Sequence, residues 1–282
     1  MKPLFNKICI VGVGLIGGSL GLAIRKRKLA RIVMGVVHHR RTIAQAFRRR
    51  MLHEATMNLK VGVKDADLVI LCAPVSIILR QIRMLKPWLS PNARVMDVAS
   101  SKLLVDHAAG KYLKGVRFVG CHPMTGAAKS GLAHASENLF EGTLCFMTSA
   151  DKMIERFWQA LGASTHYLTP KSHDEWVAHV SHLPHILAFA LFQSGGVQKL
   201  ARFGIEASNP SIQDLARLSK SDPKLWADIL LSNKKEILKS LQEHETSMRF
   251  LKKALNARNT QALEKFILQA NVSSKCLAPA AC

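Results

Sequence analysis

The first candidate for chemistry is a run of glycines near the start of the chain. Gly12-Val13-Gly14-Leu15-Ile16-Gly17 has the spacing G-x-G-x-x-G and stands between an apolar run and a helical pattern. In such a motif the first glycine allows a tight turn, the second admits a pyrophosphate and the third lets the helix pack on the strand. Amides at the helix N-terminus attract the phosphates. A fortuitous glycine-rich turn is the weaker alternative. The residues predicted to bind a dinucleotide here are Gly12, Gly14, Leu15, Ile16 and Gly17.

A basic turn follows the second apolar run. The end of the second strand normally carries an acid that accepts the ribose hydroxyls of NAD. Here Val37 stands where the acid would be, and the chain continues with His38, His39, Arg40 and Arg41. A 2′-phosphate suits such a patch, although a solvated basic turn is the alternative. We therefore expect NADP to be preferred to NAD, with these four basic residues at the cofactor.

Three more segments place polar groups at the ends of apolar runs. They are Leu71-Cys72-Ala73-Pro74, Asp97-Val98-Ala99-Ser100-Ser101-Lys102 and Gly120-Cys121-His122-Pro123-Met124. Ligands of an open parallel sheet bind outside the carboxyl ends of its strands, so these segments are expected to border one crevice. There a serine can orient an imidazole that handles a proton, whereas a lone histidine after a strand is usually structural. We expect Ser100 and His122 to be catalytic, and Cys72, Ala73, Pro74 and Ser100 to border the cofactor.

The elements that position these residues alternate along the first half of the chain. Apolar runs predict strands at Ile8–Val13, Ile32–Val37, Asp67–Ala73, Arg94–Val98, Val116–Cys121 and Thr143–Met147, and periodicity predicts helices at Gly17–Lys26 and Thr42–Met51. Continuous apolar strands separated by helices indicate a parallel sheet covered on both faces. The expected fold class is α/β, with a Rossmann-like, doubly wound parallel sheet in residues 1–168.

The second half has a different pattern. From about Thr169 the signals are helical, with a helix start at Ser172-His173-Asp174 and a long helical stretch over Leu225–Leu255. We predict an all-helical domain over residues 169–282. Only the alanine-rich end, Leu277–Cys282, is expected to fray.

Composition limits the classes of protein. With 282 residues, 48% of them apolar, two domains with a sizeable core are expected, and no apolar stretch reaches the ~20 residues that span a bilayer. The N-terminus lacks a signal-peptide core, which indicates a soluble, cytoplasmic protein. The net charge of +21 attracts nucleotides, dicarboxylates or nucleic acid. Because basic residues are spread along the chain and only 6% of residues are aromatic, a nucleic-acid partner is the weaker alternative.

The cysteines give no sign of a metal site. They are Cys9, Cys72, Cys121, Cys145, Cys276 and Cys282. None forms a C-x-x-C pair, so neither a zinc knuckle nor a thioredoxin-like site is expected. Four of them lie in apolar runs, where a reduced cysteine behaves as a small buried hydrophobe.

Several blocks resemble the prephenate and arogenate (cyclohexadienyl) dehydrogenases. They are Gly12–Ser19 (GVGLIGGS), Asp97–Lys102 (DVASSK), Gly120–Gly126 (GCHPMTG), Leu139–Gly142 (LFEG), Ser181–His185 (SHLPH), and Arg217 with Ser221–Trp226 (SDPKLW). The resemblance runs in order from about residue 7 to 235. It implies a nucleotide domain, a helical dimerisation domain that forms a homodimer, and oxidative decarboxylation of a cyclohexadienyl substrate, as in tyrosine biosynthesis.

The resemblance also implies roles for individual residues. His122 would take the proton of the ring 4-hydroxyl while hydride leaves the same carbon, and loss of the ring carboxylate as CO2 would give the aromatic ring. Ser100 would hydrogen-bond the hydroxyl or orient His122. Arg217 would pair with a substrate carboxylate and His185 would contact the substrate, while His182 would either join them or support them by packing.

Two departures from the family pattern leave the substrate open. A glycine- and threonine-rich approach to the arginine is replaced by Asn209–Ala216, and Ala128 stands where many relatives have a glutamate. Prephenate is the expected substrate and arogenate the alternative. Two further hypotheses are a hydroxyacid or imine oxidoreductase on the same fold, and a binding protein that has lost turnover.

Overall fold

A single eight-stranded sheet forms the centre of the first part of the chain. The computed structural model describes residues 2–125, 131–196, 199 and 210–275. The strands are β1 (Phe5–Val11), β2 (Ala30–Val36), β3 (Glu54–Thr56), β4 (Leu68–Leu71), β5 (Arg94–Asp97), β6 (Arg117–Pro123), β7 (Leu144–Met147) and β8 (Ser164–Tyr167). Their order is β3-β2-β1-β4-β5-β6-β7-β8, and every neighbouring pair is parallel except β6 with β7. The predicted fold class, a Rossmann-like parallel sheet followed by helices, is confirmed.

The helices connect the strands first and then form the rest of the chain. They are α1 (Leu15–Lys26), α2 (Arg40–Arg48), α3 (Leu59–Val63), α4 (Val75–Leu85), α5 (Leu103–Tyr112), α6 (Lys152–Ala160), α7 (Pro170–Val177), α8 (Leu183–Gln193), α9 (Pro210–Ser219), α10 (Pro223–Ser232), α11 (Lys234–Asn256) and α12 (Thr260–Lys275). Short 3-10 turns lie at Lys86–Trp88 and Leu132–His134, and a π-helical segment, Ala178–His182, joins α7 to α8.

Alternate residues of the central strands pack on opposite faces of the sheet. In β1, Ile8 and Ile10 belong to one buried cluster, while Cys9 and Val11 belong to the other. A strand that buries both faces has no polar side to show, which explains the continuous apolar runs in the sequence. The cysteines fit this pattern, since Cys9, Cys121 and Cys145 are buried and free.

The sheet reverses its winding between β1 and β4. Strand β2 lies on one side of β1 and strand β4 on the other, so the loops that leave β1 and β4 diverge at this point. A crevice opens at the carboxyl ends of such strands, and ligands of open α/β sheets bind there. Strands β5 and β6 run in the same direction, so their following loops reach the same edge.

Some elements differ from the sequence-based expectation. Strand β7 is antiparallel to β6, and in the described part of the chain between them only a 3-10 turn occurs, whereas a parallel return needs a crossover that is usually a helix. Strands β3 and β8 were not predicted, because β3 has three residues and β8 is largely exposed, so neither shows an apolar run. Both are edge strands.

The helical stretch predicted over Leu225–Leu255 is broken. Helix α10 ends at Ser232 and α11 begins at Lys234, with Asn233 between them in a non-helical conformation. The buried Asn233 amide donates to the carbonyl oxygen of Asp174 at 2.8 Å, and this tertiary bond holds the break. The segment Leu277–Cys282, expected to fray, lies outside the described residues.

By its internal contacts the chain forms two compact units, Met1–Lys234 and Lys235–Cys282. The second unit consists of α11 and α12, whose Phe250 and Phe266 rings stack at 5.8 Å. The boundary predicted after residue 168 is drawn by secondary structure and stays a prediction. Across the described residues, no helix combines the length and apolarity needed to cross a membrane.

Candidate active site

A cavity of about 860 Å³ lies at the carboxyl ends of β1, β4, β5 and β6, within the first compact unit. Its walls come from the loops after those strands and from the segments between Ser181 and His185 and between Arg217 and Ile229. This volume is within the ~300–1,000 Å³ range of small-molecule and cofactor sites. The cavity therefore joins the predicted cofactor crevice to residues of the helical half.

The glycine turn forms one wall, and its three glycines have different roles. Gly12 has φ of +101°, and a Cβ there would lie 2.7 Å from the carbonyl oxygen of Cys72. A Cβ on Gly17 would lie 2.0 Å from the carbonyl oxygen of Gly12, so both positions exclude a side chain. Gly14 faces open space and caps the N-terminus of α1. Of the residues predicted from this motif, Gly14, Leu15 and Ile16 line the cavity, whereas Gly12 and Gly17 shape the turn behind them.

The adjoining wall is formed by Cys72, Ala73 and Pro74, with Ser100 beside them. Pro74 is the residue before the first turn of α4. Burial raises the pKa of the Cys72 thiol well above its ordinary value, and the Asp97 carboxylate adds to this. The thiol is therefore neutral, and Cys72 contributes shape to the wall rather than a nucleophile.

The predicted basic turn follows β2, at the carboxyl-end edge of the sheet but outside the lining of the cavity. His38, His39, Arg40 and Arg41 are exposed and are not among the residues that line the cavity. The two imidazoles contact each other edge to face at 4.6 Å, and Arg40 and Arg41 open α2. Val37 is buried in the core, because it continues the alternation of β2. His38 is the first exposed residue after the strand, and the interpretation of Val37 as the position of the missing acid stays a prediction.

His122 reaches the cavity from the end of β6 and is held from behind. Its Nδ1 lies 2.9 Å from Nε2 of His173, and Nδ1 of His173 lies 2.8 Å from Oδ1 of Asp174. Burial lowers the pKa of His122 well below its ordinary value, and His173, Lys102 and His182 act in the same direction. With Nδ1 engaged, Nε2 is the nitrogen left to accept a proton. His122 is therefore neutral near pH 7 and suited to act as a base.

Ser100 lines the same cavity as His122. The structure describes both residues and places both at the cavity, but the hydrogen-bond partner of the imidazole is His173 and no bond joins it to Ser100. Because Nδ1 of the imidazole is engaged by His173, the hypothesis that Ser100 orients the ring now concerns Nε2 and stays a prediction. The other role considered for Ser100, a hydrogen bond to the substrate hydroxyl, stays a prediction.

A buried lysine joins two of the strand-end segments. The Lys102 ammonium pairs with the Asp97 carboxylate and donates to the carbonyl oxygen of Cys121 at 2.7 Å, next to His122. Burial raises the pKa of Asp97, against the pull of Lys102 and of the Ala99 amide. Removing one partner of such a pair leaves an uncompensated buried charge. The pair therefore fixes the backbone that presents His122.

The predicted substrate residues also line the cavity. The His185 ring stacks on Trp226, with centroids 3.8 Å apart, and its Nδ1 donates to the carbonyl oxygen of Ser181 at 2.8 Å. Burial lowers the pKa of His185, and the nearby Arg217 contributes to the shift. Arg217 is exposed, lines the cavity and pairs with no carboxylate among the described residues. It is thus available to an anionic ligand.

His182, for which contact with the substrate and support by packing were both predicted, borders the cavity, and the choice between the two roles stays a prediction. It is buried, and the Asn233 amide donates to its Nδ1 at 3.3 Å. Its ring contacts Trp226 edge to face at 6.0 Å. His182 therefore fastens the π-helical segment to α10.

Sequence reasoning missed two functional candidates and placed others where the structure gives no description. His173 and Asp174 were interpreted only as a helix start. An adjacent His-Asp pair within a helix is the signal for them, since a carboxylate fixes an imidazole tautomer. Gly126, Ala128 and Asn209, which bear on the substrate pocket, lie outside the described residues.

Comparison with known proteins agrees with this geometry. A family model for the nucleotide-binding domain of prephenate dehydrogenase matches residues 20–167, and one for the dimerization domain of prephenate dehydrogenase matches residues 169–269. A prephenate dehydrogenase of Lactococcus lactis subsp. cremoris is 30% identical over 265 residues, which are 93% of this chain and 74% of that protein.

Solved structures are similar over nearly the whole chain. Prephenate dehydrogenase from A. aeolicus, in complex with hydroxyphenyl propionate and NAD+, has a TM-score of 0.84 and 29% identity, and the match covers 96% of this chain and 98% of that one. Synechocystis arogenate dehydrogenase has a TM-score of 0.79 and 30% identity, with 96% and 100% covered.

Proposed function

Since the chain belongs to the prephenate dehydrogenase family, we propose that it converts prephenate to 4-hydroxyphenylpyruvate with reduction of NAD(P). The observation that carries the proposal is the placement of His122. Its free Nε2 belongs to a residue of the same cavity that the glycine turn borders, so a base and a cofactor site face one ligand space. That arrangement is what removal of a hydroxyl proton and a hydride from one carbon requires.

The residues around the glycine turn fit a dinucleotide. Gly14 offers open space next to the first amides of α1, and no acid lies in the first turn of that helix to repel a phosphate. Gly14, Leu15 and Ile16 would contact the pyrophosphate, and Cys72, Ala73, Pro74 and Ser100 would border the rest of the cofactor. The bound nicotinamide would supply the acceptor for the hydride.

The base acts on the ring hydroxyl. His122 Nε2 would take the proton of the 4-hydroxyl, and a bound nicotinamide would supply the acceptor for the hydride of the same carbon. The ring carboxylate departs as CO2, and its bonding electrons complete the aromatic ring. The proton then returns from His122 to the ring oxygen, so the imidazole ends the cycle neutral. Ser100, which lines the same cavity as His122, would hydrogen-bond the hydroxyl.

Arg217 and His185 would hold the substrate by its carboxylates and ring. Arg217 has no carboxylate partner among the described residues, so a substrate carboxylate can take both of its donors. His185 is held flat against Trp226, and with Nδ1 donating to Ser181 its Nε2 is free to meet a polar group. His182 would support them from behind.

The charges at the cavity favour prephenate over arogenate, the alternative substrate. Arogenate carries an ammonium group, for which a carboxylate at the cavity would be the strongest partner. Of the aspartates that line the cavity, Asp222 accepts from the Leu225 amide at the start of α10, and Asp228 accepts from the Ser76 amide at 3.2 Å. Both serve helix N-termini, whereas Arg217 and Lys224 face the cavity as cations.

Initial rates decide between these functions. Purified protein is assayed for reduced nucleotide and CO2 with prephenate and with arogenate, each with NAD and with NADP. We expect turnover with prephenate. Turnover with arogenate alone would make the alternative correct. Absence of turnover with both substrates would leave an oxidoreductase for another hydroxyacid or imine, or a binding protein.

We further propose that NADP is preferred and that the protein is a homodimer. The preference is supported by the lack of an acid after β2 and by four basic residues at that point. The dimer is supported by the match to a dimerization domain over residues 169–269. Exposed apolar side chains on α11 and α12 also support it, and they include Leu238, Phe250, Leu255, Ile267 and Leu268.

A further inference from the structure

Behind His122 lies a second imidazole that the family resemblance did not assign. His173, on α7, has no exposed surface, and its two ring nitrogens bridge His122 and Asp174. The bridge crosses 51 residues of sequence, and it begins at a side chain that borders the cavity and ends at a carboxylate that is 1% exposed. Buried polar groups of this kind are costly unless each is satisfied.

At the carboxylate end of the bridge, only His173 can donate the hydrogen bond and only Asp174 can accept it. Asp174 accepts the backbone amides of Lys102 and Leu103, at 2.7 and 2.9 Å, where α5 begins. Two backbone donors at a helix N-terminus favour the ionised carboxylate, which can only accept hydrogen bonds. The Nδ1 of His173 must therefore carry the proton of the bond to Asp174.

The direction of this hydrogen bond also determines which ring nitrogen of His122 carries a hydrogen. A neutral His173 with its proton on Nδ1 presents a lone pair at Nε2, which accepts from Nδ1–H of His122. His122 is then protonated on Nδ1, and its Nε2 carries the lone pair that removes a proton from a substrate. With the opposite tautomer, Nε2 would carry a hydrogen and could not act as a base.

We propose that His173 and Asp174 are positioning residues that hold His122 in the Nδ1–H tautomer and stabilise the charge it gains during proton transfer. The inference rests on the proposed function, in which His122 is the base. The substrate class of the proposed function is unchanged. The inference adds two residues of the helical half, His173 and Asp174, to the proton transfer by His122 of the nucleotide half. The helical half thus contributes to proton transfer as well as to substrate binding.

A purely structural role for the same residues makes a different prediction. Asp174 joins α7 to the start of α5, which by itself explains a buried carboxylate. It does not require a second imidazole, since an apolar ring would pack equally well against Phe146, which His173 contacts edge to face at 5.5 Å. Substitution at His173 therefore separates packing from hydrogen bonding.

Three variants make the test. His173→Leu removes the acceptor, while in His173→Gln the amide oxygen can still accept from His122. His166→Leu is the matched control, because the exposed His166 ring contacts the same Phe146 at 6.0 Å and has no bond to His122. Thermal unfolding and nucleotide affinity verify that each variant is folded.

The first readout needs no substrate. Nitrogen NMR of histidine-labelled protein, with the His122 signals assigned by their loss in His122→Asn, reports which ring nitrogen carries the hydrogen. We expect Nδ1–H in the wild type and in His166→Leu, and a mixture of tautomers in His173→Leu. An Nε2–H form in the wild type would overturn the proposal even if no variant folds.

The second readout is turnover with prephenate and NAD(P). We expect kcat to fall on the order of 10²-fold in His173→Leu, with KM and nucleotide affinity nearly unchanged, and to recover partly in His173→Gln. A kcat within about threefold of wild type in folded His173→Leu would overturn the proposal. If the wild type itself fails to turn over while the tautomer is as expected, the proposed function is wrong and the positioning of His122 stands.

Discussion

The imidazole of His122 stands between a cavity and a buried ring, and this position decides its protonation state. Burial lowers its pKa, and His173, Lys102 and His182 act in the same direction, so the neutral ring is present near pH 7. Its Nδ1 is committed to His173, which leaves one nitrogen for chemistry. A general base of this kind needs no acid-base partner of its own in the cavity, because the proton it takes returns to the product oxygen.

His122→Asn should separate turnover from folding. An asparagine keeps a polar side chain of similar reach but cannot accept a proton, and the loss of a general base typically costs about 10²–10⁴-fold in rate. We expect kcat to fall by this amount while unfolding temperature and nucleotide affinity stay close to wild type. Near-normal turnover by the purified variant would contradict the assignment of His122 as the base.

Arg217→Ala should weaken substrate binding alone. Removing a guanidinium that faces a carboxylate in a partly buried pocket costs about 2–5 kcal/mol. We expect KM for prephenate to rise at least about tenfold, with little change in nucleotide affinity. Lys220→Ala is the matched control, because Lys220 is an exposed cation just beyond the same helix and does not line the cavity. Equal KM values for Arg217→Ala and Lys220→Ala would remove Arg217 from the substrate site.

At the scale of elements, strand ends and helix starts bring the site together. Strand β6 delivers His122, the glycine turn between β1 and α1 forms one wall, and α7 contributes the buried His173 and Asp174. The π-helical segment and α8 add His182 and His185, which face Trp226 of α10. Each element contributes one or two side chains, so the site depends on their packing.

The β2–α2 connection should determine the choice between NAD and NADP. An arginine that meets the 2′-phosphate makes a charge-assisted bond of about 1.5–3 kcal/mol, which favours NADP by about tenfold or more. Specificity constants at saturating prephenate should therefore favour NADP, and Arg40→Ala or Arg41→Ala should reduce that preference. Arg48→Ala, at the far end of the same helix, serves as control. A wild-type preference for NAD would mean that the basic turn does not touch the cofactor.

The buried histidines should make the fold sensitive to acid. Burial lowers the pKa of His182 to about 4, and the pKa values of His122, His173 and His185 are lowered as well. The unfolded chain binds these protons at higher pH than the folded one. The contribution of these histidines to the free energy of unfolding is therefore fully present above about pH 6.5 and is lost as the pH falls towards 4.

The free energy of unfolding, measured between pH 7 and 4.5, tests this dependence. His182→Asn should flatten the curve in part, because its amide cannot be protonated while its oxygen can still accept from Asn233. A wild-type stability that stays constant or rises over this range would contradict the prediction.

For the whole molecule, charge and exposed apolar surface are the dominant features. A net charge of +21 attracts anions over a distance, which suits a dicarboxylate substrate and a phosphorylated cofactor. Helices α11 and α12 carry large apolar side chains that are about half exposed or more, including Phe250, Leu255, Ile267 and Leu268. Large exposed apolar side chains in such numbers on two helices are typical of a protein–protein contact site.

The protein should therefore be a dimer in solution. Light scattering at micromolar concentration should give twice the mass of one chain, which is 31.1 kDa. A paired substitution, Ile267→Glu with Leu268→Glu, should shift the mass towards the monomer, because burying two carboxylates in an apolar interface is unfavourable. Its control is Lys265→Glu, a charge change on the same helix. A monomeric mass for the wild type would refute the dimer.

Local sequence determined the apolar strands, the glycine turn and the edge of the sheet at which the site lies. The apolar runs of β1, β4, β5 and β6 are continuous because both sheet faces are buried, and this property depends only on neighbouring residues. The spacing of Gly12, Gly14 and Gly17 specifies a turn whose sterics the structure reproduces. Once a parallel sheet is inferred, strand ends must meet at one edge, so the sequence alone suffices to place Ser100 and His122 at the crevice.

Tertiary structure alone decided which groups touch. His122 and His173 are 51 residues apart, and no local pattern pairs them. Asn233 interrupts a helical pattern because its side chain satisfies buried groups of another segment, and β7 reverses direction although its residues are apolar like those of its parallel neighbours. Periodicity reports which face of an element is buried, whereas the partner it is buried against depends on packing between distant segments.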